Sequence, residues 1–448
     1  MTRPLRILKF AALALAVVLA GGLLWMLFSP PALLRVGAGY AAKMVCSNVF
    51  LNGRDPDDVL SVDVQAPGNP LLRLMQVDVD HSSGRVQAAF LGGLAGNEAV
   101  DRAGLGCTVL PQGGPPEDIS ITRAPAVDRP VESRWPEGKI AESDQSVAAL
   151  LSDPAFAGDG MRALVVLRGG RIVAEAYGEG FSAESVLLGW SMTKTVNAAI
   201  IGTLINRNRM RMDETALLPQ WKGDPRADIS LADLLAMEDG LAFNESYGSV
   251  TDVTQMLYLE PDMAAFAADA PLSAEPGARF SYSSGSAVLL SRIWMDRLGD
   301  AATALAYPRQ ALFRPLGMDS AVMEVDAAGT FVGSSYMYAT ARDWARFALF
   351  LLRDGLWNGE RLLPEGFVAM MARPNGTSEG RYSQMQTWLP GPDETELPED
   401  TFFLQGHDGQ TIAIMPSLDL AVVRLGLTPR RTGYDVVPLV REIVKLSR

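Results

Sequence analysis

The chemistry open to this chain is narrowed by its small number of histidines, cysteines and lysines. Its 448 residues include two histidines, His81 and His407, two cysteines, Cys46 and Cys107, and six lysines. A structural zinc site takes four nitrogen or sulfur ligands, and the sequence contains no CxxC, HxxxH or HExxH pattern. We therefore expect no metal and no cofactor. Any catalysis would depend on hydroxyls, carboxylates or lysine.

One short pattern joins a serine to a lysine. Ser191-Met192-Thr193-Lys194 is the only SxxK in the chain. Residues three apart share a helix face, so the Lys194 amine could lie beside the Ser191 hydroxyl. Burial lowers the pKa of a lysine, and a neutral amine could take the serine proton and create a nucleophile. The alternative is a helix-capping serine beside a solvated lysine, and chance supplies about 0.4 such patterns in this composition.

A tyrosine in a turn could assist that pair. Tyr282 follows Pro276-Gly277 and stands just before a helix predicted to begin near Gly285. A tyrosine beside a buried lysine can relay a proton to a leaving group, and the positive charge would favour its phenolate. The alternative is a tyrosine in a turn whose ring packs against its neighbours and has no catalytic role.

A third segment, residues 406–410, reads Gly-His-Asp-Gly-Gln between two predicted strands. Glycines such as Gly409 let a backbone approach a ligand closely, and a strand edge can offer N–H groups to a carbonyl. His407 could therefore hydrogen-bond a substrate carboxylate or amide. The alternative is an ordinary hairpin-turn histidine, which is how we interpret His81 in its own turn.

The elements that would position these residues follow from hydrophobic periodicity. Strands are predicted over 74–80, 163–167, 172–177, 401–405, 411–415 and 420–425, and helices over 191–206, 231–237, 285–298, 341–354 and 436–446. Residues 30–135 contain short apolar runs broken by turns, and 124–138 resembles a linker. Strands at both ends with helices between them predict an α+β fold: an antiparallel sheet flanked by helices, with a helical subdomain.

The N-terminus differs from the rest of the chain. Residues 10–28 carry no charge, close to the ~20 residues that span a bilayer, and Arg3, Arg6 and Lys9 precede them. This predicts a cytoplasmic segment (1–9), a transmembrane helix (10–28), an extension with linker (30–135) and a catalytic domain (140–448) beyond the membrane. The alternatives are a cleaved signal peptide, which would leave a secreted protein, and a buried core helix.

Export changes the interpretation of the cysteines, since an oxidising compartment permits a disulfide. Cys46 and Cys107 are the only available pair, and we predict that they are joined; two free buried thiols are the alternative.

Acidic residues outnumber basic ones by 52 to 39, giving a net charge of −13, which argues against a nucleic-acid partner. The sequence indicates no oligomeric state.

The order and spacing of the three motifs resemble the penicillin-binding and class C beta-lactamase-like serine hydrolases. Within that family the chain is similar to the esterases and 6-aminohexanoate-dimer hydrolases. Three linking segments also look similar: 229–241, 312–318 and 339–345. The resemblance covers about residues 140–448. It implies a serine beta-lactamase/DD-peptidase-like fold, which is a sheet with an inserted helical subdomain. The N-terminal helix precedes this fold and, with its basic flank, predicts a bacterial inner-membrane protein whose catalytic domain lies in the periplasm.

The resemblance also implies a mechanism. The acyl group would be transferred to Ser191, with Lys194 and Tyr282 accepting its proton, and the backbone N–H groups of Ser191 and Gln410 would bind the oxyanion. The residues implied to contact substrate are His407, Gly409 and Tyr247.

The chain departs from the lactamase pattern at two positions. Ser284 stands where the second motif has asparagine, and His407 stands where the third has lysine. Both departures favour a small carboxylic ester or linear amide as substrate over a beta-lactam. The alternatives are a D-amino-acid peptidase or beta-lactamase, and a membrane-anchored sensor domain that acylates without turnover.

Overall fold

The computed structural model describes residues 3–66, 69–111, 113, 119–122 and 129–447, and these form two compact units. The first comprises Met1–Asp101, Cys107–Pro116 and Ser246–Pro261, and the second comprises Arg102–Gly106, Glu117–Glu245 and Asp262–Arg448. The first unit includes the segment Ser246–Pro261 from the later chain. The expected division into an extension (30–135) and a catalytic domain (140–448) stays a prediction. Part of the predicted linker, 124–128, lies outside the described residues.

The helices of the described residues alternate with short 3-10 and π turns. In chain order they are α1 (Arg3–Phe28), α2 (Ala32–Asn52), α3 (Pro56–Asp58), α4 (Gln145–Ser152), α5 (Pro154–Ala157), α6 (Thr193–Asn206), α7 (Leu231–Ala236), α8 (Asp252–Leu259), α9 (Met263–Ala268), α10 (Ser284–Leu298), α11 (Ala301–Pro308), α12 (Arg314–Leu316), α13 (Ala341–Leu352), α14 (Phe367–Met371) and α15 (Val437–Ser447).

The strands form four sheets within the described residues. They are β1 (Met75–Asp80), β2 (Arg85–Phe90), β3 (Leu94–Arg102), β4 (Gly106–Val109), β5 (Met161–Arg168), β6 (Arg171–Tyr177), β7 (Val186–Leu188), β8 (Val322–Met323), β9 (Met337–Thr340), β10 (Leu356–Trp357), β11 (Glu360–Arg361), β12 (Phe402–Gln405), β13 (Thr411–Met415) and β14 (Leu420–Gly426). Their orders are β1-β2-β3-β4, β12-β13-β14-β5-β6, β7-β9-β8 and β10-β11.

The first unit packs the long helix α2 against the sheet β1–β4 and against α8. The disulfide between Cys46 on α2 and Cys107 on β4 is present, as predicted, with the two Cα atoms 6.0 Å apart. Helix α2 and the strands β2–β4 were not predicted. Helix α2 is buried over most of its middle, including Lys43, so its sequence lacks the polar stripe that marks an amphipathic helix.

The five-stranded antiparallel sheet of the second unit joins both ends of that unit, as predicted. Strand β14 pairs with β5 from Leu420↔Arg168 to Gly426↔Met161, so the last strands complete the sheet begun by the first hairpin. Helices α4 and α15 cover one face, where Val166 and Val422 meet Leu439 and other apolar side chains. Helix α13 also packs on β5, β13 and β14. This sheet supports the turn that carries the third motif.

At the N-terminus, α1 contains one stretch, Ile7–Met26, that is long and apolar enough to cross a membrane. Its mean hydropathy is 2.4, and its described side chains are mostly exposed. A membrane anchor and a signal sequence share these properties. The described side chains of this stretch are not buried by the rest of the protein, which argues against a buried core helix.

Candidate active site

The SxxK motif lies at the start of α6, directly after strand β7. Ser191 is in a 3-10 turn, Trp190–Met192, and the α-helix begins at Thr193, two residues later than predicted. Trp190 has a φ of 48°, a left-handed conformation that costs a non-glycine residue about 1–3 kcal/mol. Thr193 fixes the turn: its hydroxyl donates to the Trp190 carbonyl at 2.7 Å and accepts from the Met337 N–H at 3.1 Å.

Lys194 reaches back along the helix to the serine. Its ammonium nitrogen lies 3.0 Å from Ser191 Oγ, 3.1 Å from Ser284 Oγ and 2.9 Å from the carbonyl oxygen of Ser334. The side chain is 1 % exposed, so the alternative of a solvated lysine is wrong. Burial lowers the pKa of Lys194 to about 8, although the negative charge of Glu245 acts in the opposite direction. A neutral amine is therefore accessible near physiological pH.

Tyr282 completes a group of three around the serine hydroxyl. The Lys194 nitrogen stands 4.8 Å from the centre of its ring, and its hydroxyl interacts with the Ser191 side chain. Its ring packs against Trp388 and Tyr382, with centroids 5.1 and 5.8 Å away. Burial, and then the charge of Glu245, raise the pKa of Tyr282 well above its usual value. This shift favours a neutral hydroxyl at Tyr282 over the phenolate that the sequence suggested.

Glu245, which the sequence analysis missed, lies behind Lys194 together with Ser284. Glu245 accepts hydrogen bonds from the Ser284 backbone N–H at 2.8 Å and from the Ser284 hydroxyl at 2.6 Å. Ser284, already noted as a departure from asparagine, is fully buried at the first turn of α10. No local signal marks Glu245, because its partner is 39 residues away in the sequence.

The third motif turn approaches the serine from the edge of the five-stranded sheet. A Cβ on Gly406 would lie 2.2 Å from the Gly189 carbonyl oxygen, so only glycine allows this approach. The His407 ring contacts Trp190 edge-on, with centroids 5.7 Å apart. Its side chain is 52 % exposed, and its Nε2 lies 3.3 Å from Asp408 Oδ1.

The same turn is held from behind by buried side chains. The Gln410 side chain donates to the Gly426 carbonyl at 2.6 Å and accepts from the Gly426 N–H at 2.8 Å. The backbone nitrogen of Gln410 lies 3.5 Å from the His407 carbonyl oxygen. Arg424 is completely buried and donates to the Gly409 carbonyl at 2.9 Å. These bonds fix the turn relative to β13 and β14.

Tyr247 belongs to the first unit, in the segment Ser246–Pro261, and is 43 % exposed. Its role as a substrate contact stays a prediction.

Comparison with known proteins agrees with this arrangement. The family model described as Beta-lactamase matches residues 155–435, which is more than half of the chain. The chain belongs to the beta-lactamase family. The match begins in α5 and ends just before α15, so it contains all three motifs.

The relatives include both hydrolases and penicillin-binding proteins. The 6-aminohexanoate-dimer hydrolase of Paenarthrobacter ureafaciens is 26% identical over 294 residues, or 60% of this chain and 72% of the relative. A candidate 6-aminohexanoate-dimer hydrolase from Bacillus anthracis is 22% identical over 68% of this chain and 86% of its own, with a TM-score of 0.57. A penicillin-binding protein from Bacillus halodurans is 17% identical over 67% and 99%, with a TM-score of 0.52.

These structural neighbours establish that this beta-lactamase-family chain has the mixed helix and sheet fold that the motifs predicted. The family and the hydrolase relative support hydrolase chemistry on a small substrate.

Proposed function

We propose that this protein hydrolyses a carboxylic ester or a linear amide through an acyl-enzyme on Ser191. The observation that carries the proposal is the 3.0 Å contact between Lys194 Nζ and Ser191 Oγ, made by a buried lysine whose pKa is lowered to about 8. A neutral amine at this distance can accept the serine proton as the oxygen attacks a carbonyl carbon.

The acylation step balances with the groups present. The Ser191 proton moves to Lys194 as Oγ bonds to the carbonyl carbon, and the carbonyl oxygen becomes an oxyanion. When the bond to the alcohol or amine breaks, Tyr282 donates its hydroxyl proton to the leaving group and is reprotonated by the Lys194 ammonium. The high pKa of Tyr282 suits a neutral hydroxyl that donates.

Two backbone N–H groups, those of Ser191 and Gln410, are proposed to hold the oxyanion. The close approach of Gly406 to Gly189 and the anchoring of Gln410 support a fixed turn beside the serine. Water then attacks the acyl carbon, its proton passes through Tyr282, and Ser191 Oγ leaves protonated. His407, Gly409 and Tyr247 are proposed to contact the substrate.

The substrate class follows from the charges near the serine and from the relatives. The family's third-motif lysine is replaced by His407, so the turn lacks a permanent cation that would bind a beta-lactam carboxylate. A 26% identical relative is a 6-aminohexanoate-dimer hydrolase, whose name describes the cleavage of a linear amide. Both observations favour neutral esters and linear amides over beta-lactams.

We further propose that α1 is an uncleaved anchor that places the catalytic unit on the extracytoplasmic side of a bacterial inner membrane. The basic residues Arg3, Arg6 and Lys9 support this orientation. The disulfide between Cys46 and Cys107 fits an oxidising compartment.

Fluorophosphonate labelling combined with p-nitrophenyl ester turnover tests the function. We expect wild-type protein to be labelled and to turn over, and Ser191→Ala to do neither, with a loss of about 10³-fold or more. Labelling without turnover would indicate the sensor alternative. Wild-type turnover by Ser191→Ala would overturn the proposal, and a panel of short esters, linear amides, D-peptides and beta-lactams would identify the substrate.

A further inference from the structure

A carboxylate and a hydroxyl stand in a chain of hydrogen bonds that ends on the proposed base. Glu245 Oε1 accepts the Ser284 hydroxyl at 2.6 Å, and Ser284 Oγ accepts from Lys194 Nζ at 3.1 Å. The other Glu245 oxygen accepts the Ser284 backbone N–H at 2.8 Å, so the carboxylate is held at two points. Ser284 is fully buried, which makes this geometry costly to disrupt.

The direction of each bond is fixed by what each group can donate. An ionised carboxylate only accepts, so the Ser284 hydroxyl must give its proton to Glu245 and can only accept from Lys194. The Ser334 carbonyl, 2.9 Å from Lys194, also only accepts. A neutral Lys194 has two protons, and these two acceptors occupy both. The remaining tetrahedral direction, where its lone pair lies, is that of Ser191 at 3.0 Å.

The geometry points to Glu245 as a positioning residue that acts through Ser284 to aim the Lys194 lone pair at the Ser191 hydroxyl. This inference rests on the proposed acyl-transfer function. It also accounts for the second-motif departure, because an asparagine carboxamide oxygen can only accept, whereas a serine hydroxyl can also donate. In this chain Glu245 accepts the Ser284 hydroxyl proton, so that Ser284 Oγ can only accept a hydrogen bond from Lys194.

Glu245→Gln changes that direction while preserving size. The glutamine oxygen can accept the Ser284 N–H, but its NH2 group then faces Ser284 Oγ and donates to it. The Ser284 hydroxyl must then donate its proton to the Lys194 amine. The lone pair of that amine is no longer available to the Ser191 hydroxyl. We expect the rate constant for fluorophosphonate labelling of Ser191, measured on the pH-independent plateau, to fall by about 10²-fold, the cost typical of a misaligned catalytic group.

The pH profile gives a readout that a merely structural role would not move. The titratable groups facing Lys194 are Tyr282 and Glu245, with Tyr382 packed behind Tyr282. Removing the Glu245 charge removes an attraction that favours the ammonium form. The acid limb of the labelling rate should therefore move to lower pH by about one unit in Glu245→Gln, while its plateau falls.

A rescue variant distinguishes a reversed hydrogen bond at Lys194 from a loss of packing around Glu245. Ser284→Asn in the Glu245→Gln background supplies an accepting carboxamide oxygen beside Lys194. We expect it to recover at least a tenth of the wild-type plateau rate, because the direction no longer depends on a carboxylate. If the glutamine variant does not fold, as judged by thermal unfolding, Ser284→Ala tests the same step and should lose a similar factor.

The control is Glu238→Gln, another largely buried carboxylate of the second unit, which accepts the Thr377 hydroxyl at 2.6 Å. It should keep the wild-type rate and pH profile. If Glu245→Gln and Ser284→Ala label at the wild-type rate with an unmoved acid limb, the inference is overturned. Absence of Ser191-dependent labelling in the wild-type protein would instead overturn the proposed function.

Discussion

The surroundings of Lys194 and the turn at His407 are two sides of one site, and they are built differently. Every N–H of the Lys194 ammonium has a fixed acceptor, and the side chain is buried. The His407 side chain is half-exposed, and its contacts described here are an aromatic edge and a 3.3 Å approach to Asp408. The backbone of the turn is held in place by buried side chains, those of Gln410 and Arg424.

This difference indicates that the two sides of the site have different functions, proton transfer at Lys194 and substrate selection at His407. Proton transfer needs a group whose position and charge are controlled, which burial and complete hydrogen bonding provide. Substrate selection can use an exposed side chain on a rigid backbone, because the side chain can then vary without disturbing the turn. The following tests challenge this division, from the largest expected effect to the smallest.

Lys194→Met should produce the largest loss. It removes the proposed base and keeps an apolar side chain in a buried site, so kcat/KM for an activated ester should fall by about 10³-fold or more. Lys222→Met, at an exposed position, is the matched control and should retain wild-type kinetics. Retention of a tenth of the activity by Lys194→Met would contradict the role given to the buried side of the site.

Arg424→Met tests whether the turn depends on its backbone anchors. Arg424 donates to the Ala157 and Gly409 carbonyls and to the Thr428 hydroxyl, and it stacks on Tyr434. Leaving buried acceptors unsatisfied should lower the free energy of unfolding by about 2 kcal/mol, and a displaced Gln410 N–H should lower kcat by about 30-fold.

Urea unfolding and steady-state kinetics would measure these two effects of Arg424→Met. Arg211→Met is the control, because the Arg211 side chain is 75% exposed and pairs only with an exposed Asp213 within the hydrogen bonds described. It should change the unfolding free energy by less than about 0.5 kcal/mol. Equal effects from the two arginines would show that the turn is not anchored as described.

The pH dependence should come from the buried side. The pKa of Lys194 is lowered to about 8, and only the neutral amine accepts a proton, so kcat/KM should rise with pH and level off above 8. Between pH 7 and the plateau the expected gain is about tenfold. His407→Ala should keep the same midpoint, and a midpoint that moved with His407 would reverse the assignment.

His407→Ala should have the smallest effect on catalysis. We expect KM for a neutral amide to rise by about fivefold with little change in kcat, because a lost substrate contact weakens binding without disabling acylation. Stopped-flow acylation by a small activated ester would then remain near the wild-type rate. A hundredfold loss of that rate would place His407 in the proton-transfer machinery.

The parts of the site that sequence revealed are those whose partners are close in the chain. Ser191 and Lys194 are three residues apart, and glycine and proline mark the turns that carry Tyr282 and His407. Glu245 escaped because its partner Ser284 becomes a neighbour only after folding.

The same limit applies to the fold. The five strands of the main sheet and the helices α6, α7, α10, α13 and α15 of the second unit were predicted to within two residues at each end. Its shorter elements, among them α4, α9, α11, α14 and β7–β11, were not predicted. In contrast, α2 is buried on most sides and carries Gly37, Gly39 and Lys43 along its length, so neither periodicity nor propensity marks it as a helix. The segment that joins the first unit after Glu245 could not be foreseen either, because nothing in its composition indicates which unit buries it.

That segment makes the protein difficult to divide. The chain leaves the second unit after Glu245, contributes α8 to the first unit, and returns at Asp262. Within the first unit the Tyr258 ring meets Tyr40 edge-on, and its carbonyl accepts the Asn97 side chain at 2.8 Å. Deleting the N-terminal hundred residues would thus strip α8 of its packing partners in the stretch that directly follows Glu245. The two units are therefore expected to fold only when they are expressed as one chain.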